Sequence, residues 1–399
     1  MSRFTETRHA TAQSSPKGVA WGLVNQPPLV AEHDSWISVD PVLGCPATCA
    51  YCYLGRMDLR PKKPRVRVSP REVVNQLLDA CAVGGDDTPI CIGNYTDMFL
   101  TRENFELLCE ISAAIRSALP ERTLCVVTKA RQADSLVSDF ANFAPQRTFL
   151  FFSQSFIHER GGIFESGATA DFEQTLRAVR VARHTPNVTP VHFWRPFLSK
   201  LNPVSQLEER LARLKDAGCS SSVVVGLKHS ATTTYFEESM QHLFDPEADI
   251  DTSSGDEYAP PDLVAELMGA AREAQYPIFR NTSCAISHAR RQFDYNGTAV
   301  GPTAQQRCRE VACPATQRHV CQSHTYVPLS RSQLAKIVDV SEQHRLQLRP
   351  IEGTISIDGQ VDEYVYNKLM HIANGPIAVG GVRQRKHWLG SVTGWADEP

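Results

Sequence analysis

Apolar runs of two kinds alternate along most of the chain. Short runs rich in branched and aromatic residues predict strands, and apolar residues at helical spacing predict helices between them. Strands are predicted at 36–39, 88–92, 123–128, 148–152, 188–194 and 221–226, and helices at 70–82, 102–118, 171–183 and 203–217. Such alternation indicates a parallel sheet in an α/β fold. Polar residues follow each predicted strand, where sheets of this kind carry their functional groups.

The rest of the chain is predicted in less detail. Helices are expected at 263–274, 330–344 and 362–373, a strand at 354–357, and a glycine-punctuated hairpin or loop at 375–390. The acidic, serine-rich stretch 245–262 is expected to be a mobile, solvated insertion. We therefore expect four parts: an N-terminal extension (1–34), the main α/β domain (35–280), a cysteine-rich segment (281–325) and a small α/β lid or cap (326–399).

Composition narrows the class of protein. The 399 residues are 42% hydrophobic and 21% charged, enough for one large domain and a smaller appendage. A net charge of −3 without a basic stripe argues against a nucleic-acid partner. No run of eighteen apolar residues and no apolar N-terminal stretch occur, so neither a membrane span nor a secretory signal is expected. Twelve cysteines then favour metal or cluster sites in a cytoplasmic enzyme over disulfides.

Three cysteines stand close together directly after the first predicted strand. Cys45, Cys49 and Cys52 occur in GCPATCAYCYLGR, with three and then two residues between them. Three thiolates on one loop can hold three irons of a 4Fe-4S cluster and leave the fourth iron open to an outside ligand. A zinc site is the alternative, but structural zinc normally has four protein ligands, and no fourth Cys or His lies nearby in the sequence.

The cysteine run closely resembles the motif of the radical S-adenosylmethionine (SAM) superfamily. In that family the open iron binds the amino and carboxylate end of SAM, and the reduced cluster cleaves SAM to a 5'-deoxyadenosyl radical. The resemblance implies a partial (β/α)6 TIM-type barrel, bound SAM, and an external electron donor such as flavodoxin or ferredoxin. It also implies that Tyr51, the residue before the third cysteine, lies against the adenine.

The polar residues at the strand ends extend the resemblance to the spore photoproduct lyase branch of the superfamily. Their order implies that Thr96, Lys129 and Ser153 contact SAM, and Asn94 and Asp97, in the same strand-end segment as Thr96, are included in the predicted cofactor site. Each of these residues alone is also typical of an ordinary turn or cap.

Arginines at the mouth of the predicted barrel are further candidates. Arg195, and after it Arg280, could fork onto the SAM carboxylate or an acidic substrate. An ordinary ion pair is the alternative role. We count Arg195 among both the cofactor-binding and the catalytic candidates.

The sequence departs from that branch in two places. The lyases carry a hydrogen-donating cysteine where Asn94 stands, which puts lyase activity in doubt, and Cys91 nearby is expected to be a buried structural thiol. The second departure is a set of four cysteines within 38 residues, which the short lyases lack: Cys284, Cys308, Cys313 and Cys321. These resemble ligands of an auxiliary 4Fe-4S cluster; structural zinc and free thiols remain alternatives. If only three ligate, the fourth could donate hydrogen, and Cys284 is our catalytic candidate.

Together these features predict a radical SAM enzyme that abstracts a hydrogen atom from a small polar metabolite or natural-product intermediate. Dehydrogenation and epimerisation are the expected outcomes. Nucleobase repair or modification, peptide maturation, and an iron-sulfur protein without SAM chemistry remain alternatives.

Overall fold

The fold is described from a computed structural model of the chain. It describes residues 27–52, 54, 59, 63–83, 88–157, 165, 167–228, 243–251, 257–296, 308–325, 328–351, 354–375 and 377–383. Most of the predicted N-terminal extension and the end of the glycine-punctuated stretch therefore lie outside the described residues.

An eight-stranded sheet forms the centre of the molecule. Its strands are, in spatial order, β1 (Val30–Glu32), β2 (Ile37–Val39), β5 (Ile90–Ile92), β6 (Leu124–Thr128), β7 (Thr148–Gln154), β8 (Val188–Trp194), β9 (Ser222–Val224) and β13 (Ile278–Phe279). Only β1 pairs antiparallel; every other pairing in the sheet is parallel. The α/β class and the parallel sheet are confirmed, and β1 and β13 add two strands to the six predicted.

Helices connect the parallel strands. They are α1 (Pro70–Val83), α2 (Arg102–Ala118), α3 (Ala133–Ala141), α4 (Phe172–Arg183), α5 (Val204–Ala217) and α6 (Pro261–Glu273). All but α3 were predicted to within a few residues. The sequence of α3 starts without a capping side chain, since its N-cap, Gln132, makes no side-chain cap hydrogen bond. Helices α5 and α6 also lack such a bond but have 14 and 13 residues, whereas α3 has nine, which is too short for a clear apolar periodicity.

The two faces of the sheet bury different residues. In β7, Leu150 and Phe152 pack in the core shared with the helices, whereas Phe149 and Phe151 pack in a second core on the opposite face. Strand side chains alternate between faces, so both faces of this sheet are buried. The second core is completed by helix α7 (Thr282–Arg290) and by Tyr295, whose hydroxyl donates to the Ser35 carbonyl at 2.7 Å.

The acidic stretch differs from the prediction. It is not simply a solvated insertion, because it contains β11 (Ile250–Asp251) and β12 (Glu257–Ala259), which form a three-stranded sheet with β10 (Leu227–Lys228). Asp249 and Glu257 are fully buried. The Asp249 carboxylate accepts from the backbone N–H and the hydroxyl of Ser199 at 2.9 and 3.0 Å. Because Asp249 is bonded to a residue 50 positions away in the sequence, composition alone could not indicate that this stretch is folded and partly buried.

Residues after the cysteine-rich segment build a small core of their own. There α9 (Arg331–Gln343) and α10 (Glu363–Ala373) pack on a sheet of β14 (Gln347–Ile351), β15 (Thr354–Asp362) and β16 (Ala378–Arg383). Where a hairpin or loop was predicted, the described residues instead form strand β16, which pairs parallel with β15 across α10. This unit contacts the main sheet where His371 Nδ1 lies 2.5 Å from Glu32 Oε2.

Candidate active site

The cysteine loop lies at the carboxyl end of the first parallel strand. After β2 the chain forms the short strand β3 (Val42–Leu43), which pairs with β4 (Arg65–Val66), and then enters the loop. Cys45 N–H donates to the Leu59 carbonyl at 2.9 Å, and Cys52 N–H donates to the Cys49 carbonyl at 3.0 Å. Cys45 and Cys49 are buried in an apolar cluster together with Tyr51. The loop therefore presents three sulfurs in surroundings from which water is largely excluded.

Burial sets the acidity of these thiols. It raises the pKa of Cys45 to about 11 and that of Cys49 well above its usual value, and the thiols of the loop raise one another's pKa further. As free groups Cys45 and Cys49 are protonated at neutral pH, so a bound metal would displace their protons. Three soft sulfur donors on one loop fit an iron–sulfur cluster. The buried phenol oxygen of Tyr51, which lacks a hydrogen-bond partner among the described residues, also fits a site that a bound group completes.

A buried carboxylate joins the base of this loop to the next strand end. Asp40 follows β2 directly, and its Oδ1 accepts from the backbone N–H of Asn94 at 2.6 Å and of Tyr95 at 3.3 Å. Loss of solvation raises the Asp40 pKa to about 7, although these hydrogen bonds lower it. The Asn94 side chain, predicted to contact the cofactor, lies 3.8 Å from the thiol of Cys91, through its Oδ1. Cys91 is buried as predicted.

Asp97 connects the ends of β5 and β6. Its carboxylate accepts from the Lys129 backbone N–H at 2.6 Å and from the Thr128 hydroxyl at 3.0 and 3.2 Å. Burial raises the Asp97 pKa more than these bonds lower it. Thr96 is buried beside it and accepts from the Asn104 side-chain amide at 3.3 Å. Both side chains thus order the strand ends, and their contact with a cofactor stays a prediction.

Lys129 lies beside the cysteine loop. Its Nζ is 5.2 Å from the centroid of the Tyr51 ring and 3.0 Å from Glu165 Oε1. Loss of solvation lowers the Lys129 pKa to about 8, while negative charge on Cys49 and Cys52, in their thiolate forms, acts to raise it. Tyr51 and Lys129, both of which the resemblance assigns to the cofactor, therefore lie close together.

Ser153 and Arg195 lie on neighbouring strands at the same edge. Ser153 is buried near the end of β7 and pairs in register with Phe193 of β8. Arg195 follows β8, and its guanidinium carbon lies 5.7 Å from the centroid of the Phe193 ring. Arg195 also acts to lower the pKa of Lys129, because the positive charges of the two side chains repel each other. Arg280, after β13, instead pairs with the buried Glu257 at 3.2 Å.

The four C-terminal cysteines lie beside β13, the outermost strand on one side of the main sheet. Burial raises the pKa of Cys284 well above its usual value, and Cys308, Cys313 and Cys321 each raise it further. The Gln317 side-chain amide, on α8 (Ala315–Ser323), donates to Cys321 Sγ at 3.2 Å. Ala312, next to Cys313, bridges to Ile278 of the edge strand β13. The segment is thus attached to the main sheet, and its four thiols lie in one neighbourhood.

Neither set of cysteines is already arranged as a complete metal site. Throughout the part of the chain that the structure describes, no group of three Cys, His, Asp or Glu side chains is placed to hold a metal ion.

The described helices also include none long and apolar enough to cross a bilayer.

Two buried carboxylates of this region were not predicted. The sequence did contain an indication of Asp40, because this residue directly follows a predicted strand, as the other polar candidates do. Glu165 had none, since the sequence between β7 and α4 has no clear periodicity around it. Only the folded chain brings it to Lys129.

The fold and the carboxyl ends of its strands define an α/β protein with a three-thiol loop and a half-buried lysine, Lys129, beside it. No protein-family model matches the sequence, and no curated protein matches it. Among solved structures, the chain is similar to spore photoproduct lyase complexed with dinucleoside spore photoproduct, with a TM-score of 0.49, 18% identity, and coverage of 61% of this chain and 76% of that chain. It is also similar to a double mutant of spore photoproduct lyase with bound AdoMet and dinucleoside spore photoproduct, with a TM-score of 0.47, 17% identity and the same coverage, 61% and 76%.

Proposed function

We propose that the chain is a radical SAM enzyme. The observation that carries the proposal is the three-cysteine loop at the carboxyl edge of a parallel sheet, with the Lys129 ammonium 5.2 Å from the Tyr51 ring centroid. Cys45, Cys49 and Cys52 would hold three irons of a 4Fe-4S cluster, and SAM would bind the fourth. When bound, these groups supply abstraction of a hydrogen atom from an unactivated C–H bond.

The chain's own residues would bind and orient the cofactor. The Lys129 ammonium supplies a positive charge for the anionic end of SAM, and the Tyr51 ring supplies a flat apolar surface for the adenine. The apolar cluster around the cysteine loop would keep water from the reacting atoms. Reducing electrons would come from an external donor such as flavodoxin or ferredoxin.

Release of 5'-deoxyadenosine tests this proposal. Anaerobically reconstituted protein given dithionite and SAM should form it, and the Cys45→Ala, Cys49→Ala and Cys52→Ala variants should not, because each loses a ligand to the cluster. Cys109→Ala is the matched control, since Cys109 is a buried thiol on α2, away from both cysteine sets in sequence. No 5'-deoxyadenosine from a wild-type protein whose cluster is reduced would overturn the proposal in favour of an iron-sulfur protein without SAM chemistry.

We further propose a small polar metabolite or natural-product intermediate as substrate, with dehydrogenation or epimerisation as the outcome. The charge balance of −3 supports this class over a nucleic acid. Arg195, at the same edge as Lys129, is suited to an acidic group of such a substrate. Incubation with dinucleoside spore photoproduct is the direct comparison: we expect no repaired product, and turnover would establish the nucleobase-repair alternative.

For the C-terminal cysteines we propose an auxiliary 4Fe-4S cluster. The three thiols of Cys308, Cys313 and Cys321 each raise the Cys284 pKa, which supports a shared site, and the Gln317 amide bonded to Cys321 resembles the donors that tune cluster sulfurs. Reconstituted protein should then hold about eight irons, and a variant with Ala at Cys45, Cys49 and Cys52 about four, since each cluster contributes four. About four irons and one tightly held zinc in the wild type would instead identify a structural zinc site.

A further inference from the structure

Glu165 is a buried carboxylate that is bonded to a residue of the candidate site. Its side chain is 1% exposed, and its Oε1 lies 3.0 Å from Lys129 Nζ. The Ser155 hydroxyl donates to the same oxygen at 3.0 Å, and the Thr169 hydroxyl donates to Oε2 at 3.3 Å. Both oxygens of the carboxylate are therefore engaged, and the side chain is fixed in one orientation.

The backbone ties this carboxylate to the end of β6. Ala170 N–H donates to the Lys129 carbonyl at 2.7 Å, and Arg131 N–H donates to the Ala168 carbonyl at 2.8 Å. Ala130 and Thr169 form an isolated antiparallel bridge between these two hydrogen bonds. The segment that carries Glu165 and the segment that carries Lys129 are thus held in one register.

The ion pair determines where the ammonium lies. A lysine side chain is long and flexible, and keeping it in one position costs side-chain entropy. The Lys129 side chain is 18% exposed, so an ammonium there needs a nearby negative charge to offset its lost solvation. In its ionised form the Glu165 carboxylate supplies that charge, although loss of solvation raises the pKa of Glu165 to about 8. The Tyr51 ring, whose centroid is 5.2 Å from Nζ, lies on the side of the cysteine loop.

We propose that Glu165 is a positioning residue, which holds the Lys129 ammonium at the cysteine loop for contact with the anionic end of a bound ligand. The proposal rests on the proposed function in taking that ligand to be SAM. Glu165 acts through Lys129, so removing its charge should weaken SAM binding only while Lys129 is present.

A double-mutant cycle tests this dependence. Glu165→Gln keeps the size of the side chain and removes its charge, and Lys129→Met removes the ammonium. With reconstituted protein and SAM in equilibrium dialysis, we expect each single variant to raise the Kd about tenfold, which is about 1.4 kcal/mol. The double variant should bind no more weakly than Lys129→Met alone, because the two residues act as one unit. Glu165→Asp should recover part of the affinity.

The control is Glu121→Gln, which breaks an exposed ion pair with Arg147 and should leave the Kd unchanged. Wild-type affinity in Glu165→Gln would overturn the proposal, and so would losses that add in full in the double variant.

If Glu165→Gln does not fold, Ser155→Ala replaces it in the cycle, since it removes a donor to the same carboxylate oxygen. A smaller loss of affinity that disappears in the Lys129→Met background is then expected, and unchanged or additive binding would overturn the proposal.

Failure of the proposed function has a different signature. In that case the wild type itself would show no affinity for SAM, whatever stands at position 165. The same four proteins are then compared by urea unfolding. Coupled shifts of the midpoint would still show Glu165 holding Lys129, and additive shifts would overturn that as well.

Discussion

Single buried carboxylates order the edge of the sheet where the cysteine loop lies. Asp40 holds the backbone of the Asn94–Tyr95 turn, Asp97 joins the ends of β5 and β6, and Glu165 holds the Lys129 ammonium. Each is paired with donors, as buried charge requires. Burying an ionised carboxylate costs solvation free energy and so destabilises the folded state. Carboxylates of this kind are found at functional sites, where they hold other groups in place.

Asp40 should make the stability of the protein depend on pH. Its pKa is raised from 3.8 to about 7, chiefly by loss of solvation, so between those values the folded chain binds this proton more tightly than the unfolded chain does. The resulting stabilisation is present in full below about pH 4 and is lost as the pH rises through about 7, by at most roughly 1.4 kcal/mol per pH unit. Asp40→Asn should remove this part of the pH dependence in urea unfolding.

The comparison for that variant is Asp79→Asn, which changes an exposed aspartate on α1. We expect its pH profile to follow the wild type. A profile for Asp40→Asn that is parallel to the wild type between pH 4 and 7 would contradict the assignment of this titration to Asp40.

At the scale of the elements, helix ends follow local rules that the sequence already contains. Asp171 and Gln174 form a capping box at the start of α4, with hydrogen bonds of 2.8 and 2.9 Å. Helix α5 ends at Gly218, whose φ of +86° lies in the left-handed region. Glycine adopts that conformation without the penalty a Cβ atom brings.

Two glycine substitutions should therefore have opposite effects. Gly218→Ala should lower the free energy of unfolding by about 1 kcal/mol or more, because of the positive φ and because the added Cβ would meet the Arg183 side chain. Gly269→Ala, within α6, has open space around the added Cβ and should raise the free energy of unfolding by about 0.5–1 kcal/mol. Urea unfolding of both variants gives the measurement, and changes of the same sign would contradict this account.

These elements show how far the sequence could predict the structure. Six of the eight strands of the main sheet and most of its helices were predicted because periodicity is a local signal. The strands β11 and β12 and the parallel pairing of β16 were not, since each depends on partners brought together only by folding. The same holds within the site: the cysteine loop stands out in the sequence, whereas the Lys129–Glu165 pair joins residues 36 positions apart.

At the scale of the whole molecule, the cysteine-rich segment is continuous with the core of the sheet. Cys284 and Cys313 pack against the same apolar core as Phe151 and Phe193, and Tyr295 of this segment bonds to Ser35 beside β2. A metal group bound there would be linked to the folding of the main domain, because binding to the folded form stabilises it. The two proposed clusters can therefore be separated by mutation only if the variant protein remains folded.

The central claim is that the Cys45, Cys49 and Cys52 loop holds a cluster with one iron open to SAM. The most direct measurement is the electron paramagnetic resonance spectrum of the reduced cluster, with and without SAM, in a folded variant with Ser at Cys284, Cys308, Cys313 and Cys321. We predict that about four irons remain in this variant and that SAM changes the spectrum, because it coordinates the open iron. A reduced cluster on this loop whose spectrum is unaltered by saturating SAM would contradict the claim.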